Sequence, residues 1–222
     1  MSAPVTGAPR PRTLAYREGM TDLLPGNPLR TVVEVVRRGA DLVRGVVGRT
    51  DHPPLPTVEH VDVARYAGRW YELARLPVLF QPDASVAIAE YGLRDNGTVS
   101  VRNTACRGTD PERSIDGSAT PAAGAEESNA RLRVRFGGVA RLVPTPVEGN
   151  YWVMRLAPDY SAALVGTPDR SSLWLLGRRP SDWGTPVVEE YLAWAEEQGF
   201  DLDPLLVADW SARTTRPYRP AA

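Results

Sequence analysis

Tyr66-Ala67-Gly68-Arg69-Trp70-Tyr71-Glu72-Leu73-Ala74-Arg75-Leu76-Pro77 is the stretch whose reading decides the fold of this 222-residue chain. Gly68 tolerates backbone angles that a β-carbon forbids, so it suits a corner where a helical turn over Asp62 to Ala67 feeds a strand. Side chains alternate along a strand. That predicts Trp70, Glu72, Ala74 and Leu76 on one face and Tyr71, Leu73 and Arg75 on the other. A Trp at such a corner fills the closed end of a barrel, provided its indole N–H finds an acceptor.

Downstream, strand-like runs alternate with turn residues at short intervals, the pattern of an up-and-down antiparallel barrel. Ala84 to Leu93 precedes Asp95-Asn96-Gly97, a hairpin signal because Asn and Gly accept positive φ. Thr98 to Cys106, Arg113 to Thr120 and Asn129 to Phe136 follow. In the last of these Leu132, Val134 and Phe136 alternate with Arg131, Arg133 and Arg135, so one face is buried and the other meets water. Asn150 to Leu156, Ser161 to Thr167 and Leu173 to Arg178 complete the set. The period then changes to threes and fours at Val187, Val188, Tyr191, Leu192, Trp194 and Ala195. This predicts a helix over about 185–198 that starts at Thr185-Pro186 and stops at Gly199. Leu205 to Val207 reads as a last short strand, and residues 213–222 as a tail.

Three of these segments also carry a family resemblance. The Gly68-Arg69-Trp70 corner, the Asp159-Tyr160 turn and Arg178 at the end of Leu173-Trp174-Leu175-Leu176-Gly177-Arg178 resemble, in that order, the three signatures of the lipocalin family. Trp70 to Leu76, Ala89 to Gly97 and Leu173 to Pro180, with Gly199-Phe200-Asp201, resemble its bacterial branch, and the likeness covers about residues 60–210. It implies a mainly β fold: a lipocalin-type eight-stranded up-and-down antiparallel barrel with a C-terminal flanking helix, here preceded by a helical N-terminal extension. Gly68, Trp70, Asp159, Tyr160 and Arg178 are then fold determinants. Arg178 packs across Trp70 in a cation–π contact, typically about 0.5 to 2 kcal/mol.

A barrel of this size either fills with side chains or holds one small ligand. With Trp70 pointing inward, parity predicts Glu72, Ala74 and Leu76 on the inner face of the first strand and Phe80 as a lid in the loop beyond. Val99, Val101 and Asn103, Leu132, Val134 and Phe136, and Trp174 and Leu176 are the inner-face residues of later strands. The candidate ligand-binding set is therefore Glu72, Ala74, Leu76, Phe80, Val101, Asn103, Val134, Phe136 and Trp174. Such a lining is apolar and aromatic, and suits a fatty acid, a lysophospholipid or a terpenoid-like molecule. The expected function is binding, storage or transport of that hydrophobic ligand. The alternative is a lipocalin-like isomerase or hydratase acting on a lipophilic substrate through Glu72, Cys106 or a tyrosine. Against it, both histidines, His52 and His60, precede the first strand, so the barrel has no His to serve as general base or haem ligand. Cys106 is remote in sequence from both, which disfavours a zinc site, and no cofactor is expected. A carboxylate such as Glu72 inside a barrel must be hydrogen-bonded or paired.

Composition is that of a soluble globular domain with an appendage: 42% apolar and 24% charged residues. All 26 basic residues are Arg and the net charge is −1. Residues 1–57 carry eight Arg against five acids and the rest eighteen against twenty-two, so neither part has the basic excess of a nucleic-acid binder. A single Cys excludes an intrachain disulfide. Residues 1–29 hold five Pro and no apolar period, which predicts a loose strap. Between Thr31 and Gly48, Val32, Val35, Val36, Ala40, Val43, Val46 and Val47 recur at helical spacing opposite Glu34, Arg37, Arg38, Asp41 and Arg44. This amphipathic helix, about 31–48, needs a surface: the barrel wall, a neighbouring subunit or a membrane interface. His52-Pro53-Pro54-Leu55-Pro56 reads as a stiff linker, which puts the boundary near residue 57 and the barrel at 58–212. With neither an apolar signal segment nor an N-terminal Cys, the expected location is cytoplasmic, peripheral at the membrane where the helix docks.

Overall fold

The computed structural model describes residues 53–78, 81–137 and 145–220; the 31–48 helix, the strap, His52 and Phe80 lie outside the described residues. A short helix α1 (Val63–Tyr66) leads into β1 (Gly68–Arg75), β2 (Val86–Leu93), β3 (Val99–Cys106), β4 (Arg113–Pro121), β5 (Arg131–Phe136), β6 (Tyr151–Leu156), β7 (Ala162–Gly166) and β8 (Leu173–Gly177). Helix α2 (Pro186–Glu197), β9 (Leu206–Asp209) and β10 (Thr214–Pro217) follow. Each of β1 to β8 pairs antiparallel with the next, and β8 returns to β1, which closes an eight-stranded barrel. Beyond the stretch of β1 that pairs with β2, β9 takes the same edge at Ala74 and Arg75, and β10 pairs with β9.

Local chemistry explains the element ends. The Asp62 carboxylate accepts from Ala64 N (2.9 Å) and Arg65 N (3.2 Å), capping α1. Gly68 has φ +93°, so the turn into β1 needs a residue without a β-carbon. At the β2–β3 hairpin Asn96 accepts from the backbone N–H and hydroxyl of Thr98, and Gly97 sits at φ +77°.

The sheet has two apolar faces. Outside, Leu73, Ala74, Leu164 and Leu175 pack beneath Val188, Tyr191, Leu192 and Ala195 of α2. Inside, Trp70, Ala89, Val153, Val165 and Leu176 form one cluster with Tyr66, and Val99, Val101, Ala119 and Val134 another. Strand register orders the inner face into rows. Trp70, Ala89, Asn103 and Ile115 are successive cross-strand partners, as are Gly68, Tyr91, Val101, Gly117 and Phe136.

Three expectations are corrected. Strict alternation along β1 fails between Glu72 and Ala74, where the register with β8 shifts by a residue. Leu73 is the extra residue of this bulge, so it and Ala74 both face outward, and Ala74 and Leu76 join the cluster under α2 instead of lining the lumen. Gly177 makes the room: a β-carbon there would stand 2.7 Å from Leu73 Cδ1. By the same shift Arg75, assigned outward by parity, pairs with Trp174 and turns inward. Thr214–Pro217, read as tail, is β10, and Tyr218 packs on Trp183. Leu55, read as linker, is buried in the outer cluster.

Candidate functional site

At the closed end the three signature segments meet. The Arg178 guanidinium lies 3.8 Å from the centre of the Trp70 ring. It donates to the carbonyls of Tyr160 (3.1 Å), Ala67 (3.0 Å), Arg69 (2.9 Å), Arg65 (2.8 Å) and Tyr66 (3.2 Å). The Trp70 indole N–H donates to Tyr66 O at 2.8 Å. Asp159 accepts from the backbone N–H (3.0 Å) and hydroxyl (2.6 Å) of Ser161, while the Tyr160 hydroxyl accepts from Asp62 N at 3.0 Å. One guanidinium thus serves as donor to carbonyls from α1, β1 and the β6–β7 turn. Gly68, Trp70, Asp159, Tyr160 and Arg178 together plug this end of the barrel.

The lumen lies on the other side of that plug. Its wall carries Val101, Val134, Phe136, Asn103 and Trp174, all on the inner face as parity predicts. Accessibility changes along the rows: Trp70 is fully buried, whereas Ile115, in the same row, is 39% exposed despite its inward position. Asn103, between them, has a buried Oδ1 with no hydrogen-bond partner.

A charged group sits at the mouth. Glu72 (2% exposed) and Arg75 (0%) lie 3.2 Å apart, Oε1 to Nε, at an angle that leaves this Nε without a hydrogen bond. Gln81, from the β1–β2 loop, donates from Nε2 to both Glu72 oxygens at 3.2 and 3.0 Å. Arg75 Nη2 donates to the carbonyls of Pro82 (2.8 Å), Asp83 (3.4 Å) and Ser85 (3.4 Å). Burial pushes the Glu72 carboxyl up to about 7, against the opposing pull of Arg75 and the Gln81 hydrogen bond. Two side chains of β1 therefore hold the loop that borders the mouth.

Deeper in, three phenols meet. The Tyr66 and Tyr151 hydroxyls are 2.8 Å apart, and those of Tyr151 and Tyr91 3.1 Å apart. Burial raises all three, Tyr91 to about 12. Sequence reasoning missed this cluster and Arg75. The inner parity of β2 and β6 points to Tyr91 and Tyr151, but nothing in the sequence marks a bulge at Leu73 or the inward lean of Tyr66 from α1. Cys106, by contrast, pairs with Val86 on the outer face and is fully buried there.

Residues 61–209 match the lipocalin-like domain family. Temperature-induced lipocalin-1 of Arabidopsis thaliana is 37% identical over 158 residues, covering 70% of this chain and 83% of that protein. The outer membrane lipoprotein Blc of Escherichia coli (strain K12) is 36% identical over 159 residues, covering 69% and 83%. Among solved structures, insecticyanin of Manduca sexta superposes with a TM-score of 0.51 at 18% identity over 75% of this chain and 94% of that one, a likeness of fold. With the tryptophan corner, the Asp-Tyr turn and the capping arginine assembled at one end of a closed eight-stranded barrel, this chain belongs to the lipocalin family, in its Blc-like branch.

Proposed function

We propose that the barrel binds a small hydrophobic molecule of the acyl-chain or terpenoid class and stores or carries it unchanged. Family membership supports hydrophobic small-ligand binding in general. The observation that carries the reading is the inner row running from buried Trp70 to Ile115, an inward-facing apolar side chain that stays 39% exposed. Apolar wall left in water forgoes roughly 25 cal/mol per Å² that a ligand recovers by covering it. The outer-face position of Cys106 keeps its thiol away from a bound molecule, which supports carriage over thiol chemistry.

The test uses the full-length protein purified without detergent. Native mass spectrometry reports any retained molecule, and titration with the uncharged fluorophore N-phenyl-1-naphthylamine reports the free lumen. The expected result is one probe per chain with recovery of any displaced molecule unaltered. Ile115→Trp, which fills the accessible part of the row, is expected to weaken probe binding without loss of fold. A bare mass together with no probe uptake would overturn the reading.

A further inference from the structure

The hydroxyl cluster inside the barrel has an imbalance of protons. A phenol carries one donor hydrogen and accepts through its lone pairs. Tyr66, Tyr151 and Tyr91 form a linear chain of three oxygens joined by two hydrogen bonds. Whichever way these two bonds run, two hydrogens are used and the third is left over. Among the described residues these hydroxyls hydrogen-bond only to one another, so one part-buried O–H is on offer to something that is not a side chain of this cluster. A donor held largely away from water and without an acceptor is unfavourable, so an acceptor that reaches it is held there.

The space beside the cluster matches a small acceptor. Tyr66, Tyr91 and Tyr151 border a cavity of about 20 Å³ whose remaining wall is mainly Val and Ala, with Leu132 and Asn129. That is room for one water-sized group. A phosphate or an ammonium headgroup does not fit, whereas a hydroxyl or carbonyl oxygen does. The electrostatics select in the same direction. The cation nearest in the network, Arg178, lies over Trp70 and commits its N–H groups to five backbone carbonyls. An ionised carboxylate pushed against the phenols would be a buried charge without a counter-charge. Burial keeps all three phenols protonated through the neutral range, so the cluster remains a donor. A second polar atom on the same inner face is also unsatisfied: Asn103 Oδ1 is buried without a partner, one row toward the mouth from Val101, which pairs with Tyr91.

We propose that the Tyr66–Tyr151–Tyr91 cluster is the inner terminus of the ligand site and recognises an uncharged oxygen, a hydroxyl or a carbonyl, at the buried end of a lipophilic molecule. This rests on the carrier reading above and narrows it. The ligand enters oxygen-first, its neutral end accepts from the surplus phenol, and its hydrocarbon body lies along Val101, Phe136 and Ile115. An ionised fatty acid binds with its carboxylate at the mouth or binds weakly.

Displacement of N-phenyl-1-naphthylamine from the full-length protein at pH 8 tests this with a series of matched tails: dodecan-1-ol, dodecan-2-one, dodecane and dodecanoate. The alcohol and the ketone are expected to displace the probe at about tenfold lower concentration than dodecane or dodecanoate, the size of one well-made hydrogen bond in a dry site. The triple variant Tyr66→Phe, Tyr91→Phe, Tyr151→Phe keeps the rings and removes every hydroxyl, so it should bind the probe and lose the preference. Tyr151→Phe alone leaves Tyr66 and Tyr91 with an unengaged hydroxyl each, so it should keep the preference. Near-UV circular dichroism checks the fold of both variants. Probe binding with equal displacement by alcohol and alkane overturns the oxygen site and leaves the carrier reading standing; so does a triple variant that still prefers the alcohol. Absence of probe binding to the unaltered protein overturns both.

Discussion

Glu72→Gln should flatten the pH dependence of stability between about pH 4.5 and 7. Glu72 begins from an ordinary value of 4.5 and is carried to about 7 by burial, which outweighs both the neighbouring Arg75 charge and the Gln81 hydrogen bond. Within that window the folded protein holds a proton on Glu72 that the unfolded chain has released. Raising the pH therefore removes stability. Below the window both states are protonated and above it both are ionised, so the effect is complete at each end. At 1.36 kcal/mol per pH unit the shift corresponds to about 3 kcal/mol lost from the acid to the alkaline side. Carboxylates whose values are lowered, Asp116 by Arg102, Asp159 by Ser161 and Asp209 by Ser211, titrate on the acid side of this window and act in the opposite sense.

The assay is urea unfolding followed by tryptophan fluorescence at half-unit intervals from pH 4.5 to 8, for the unaltered protein and Glu72→Gln. The difference between the two curves isolates residue 72. Relative to the variant, the unaltered protein should lose about 3 kcal/mol across the window. A difference that is flat with pH would refute the reasoning. So would one that grows in favour of Glu72 as pH rises, because that is the behaviour of an ion pair whose attraction exceeds its desolvation. Gln is a fair probe because Arg75 retains three backbone carbonyls as acceptors when the carboxylate is gone.

Gly68→Ala should destabilise by about 1 kcal/mol through backbone strain, since φ is +93° while a β-carbon would meet nothing nearer than Arg178 Nη1 at 3.5 Å; thermal unfolding measures it. Arg178→Met keeps an apolar stem over Trp70 and leaves carbonyls from α1, β1 and the β6–β7 turn without their donor, an expected loss of about 3 kcal/mol in the same assay. Ala74→Phe separates the two faces of β1: it should overpack the cluster under α2 and lower stability by about 1–3 kcal/mol while leaving probe affinity unchanged, whereas affinity would fall if Ala74 lined the lumen.

The barrel was legible because its signals are local and repetitive. Arg131 to Phe136 alternates without a break, and β5 takes those bounds. Val187 to Ala195 repeats at threes and fours and lies inside α2. Parity also placed Val101, Asn103, Val134, Phe136 and Trp174 on the inner face, since no register shift intervenes between each and its anchor. It failed for Ala74 and Leu76 because one bulge inverts every residue beyond it. That bulge depends on Gly177 of β8, about a hundred positions away in the chain, leaving room for Leu73. The phenol cluster was hidden for a similar reason. Its three members come from α1, β2 and β6, and only barrel closure brings their hydroxyls together.

The same bulge has a consequence for how the mouth is organised. Had β1 alternated without interruption, Arg75 would face α2, among Leu164, Leu175 and Leu192, where a guanidinium finds no acceptors. The extra residue turns Arg75 inward beside Glu72, and there three carbonyls of the β1–β2 loop receive it. Trp210 donates its indole N–H to Glu72 O from beyond β9, and the Thr215 hydroxyl of β10 donates to Asp83 O, so the C-terminal segment braces β1 at Glu72 and the loop at Asp83. The loop is thus tied to the sheet by polar contacts, while the inner row from Trp70 through Ala89 and Asn103 to Ile115 runs from full burial to exposure. Polar contacts to a carboxylate that ionises near neutrality respond to pH, and buried apolar packing at the closed end does not. Ligand exchange at the mouth should follow the Glu72 titration, with the plug of Trp70 and Arg178 unchanged across the same range; stopped-flow displacement of the naphthylamine probe at pH 6 and pH 8, compared with Glu72→Gln, distinguishes a mouth that responds from one that does not.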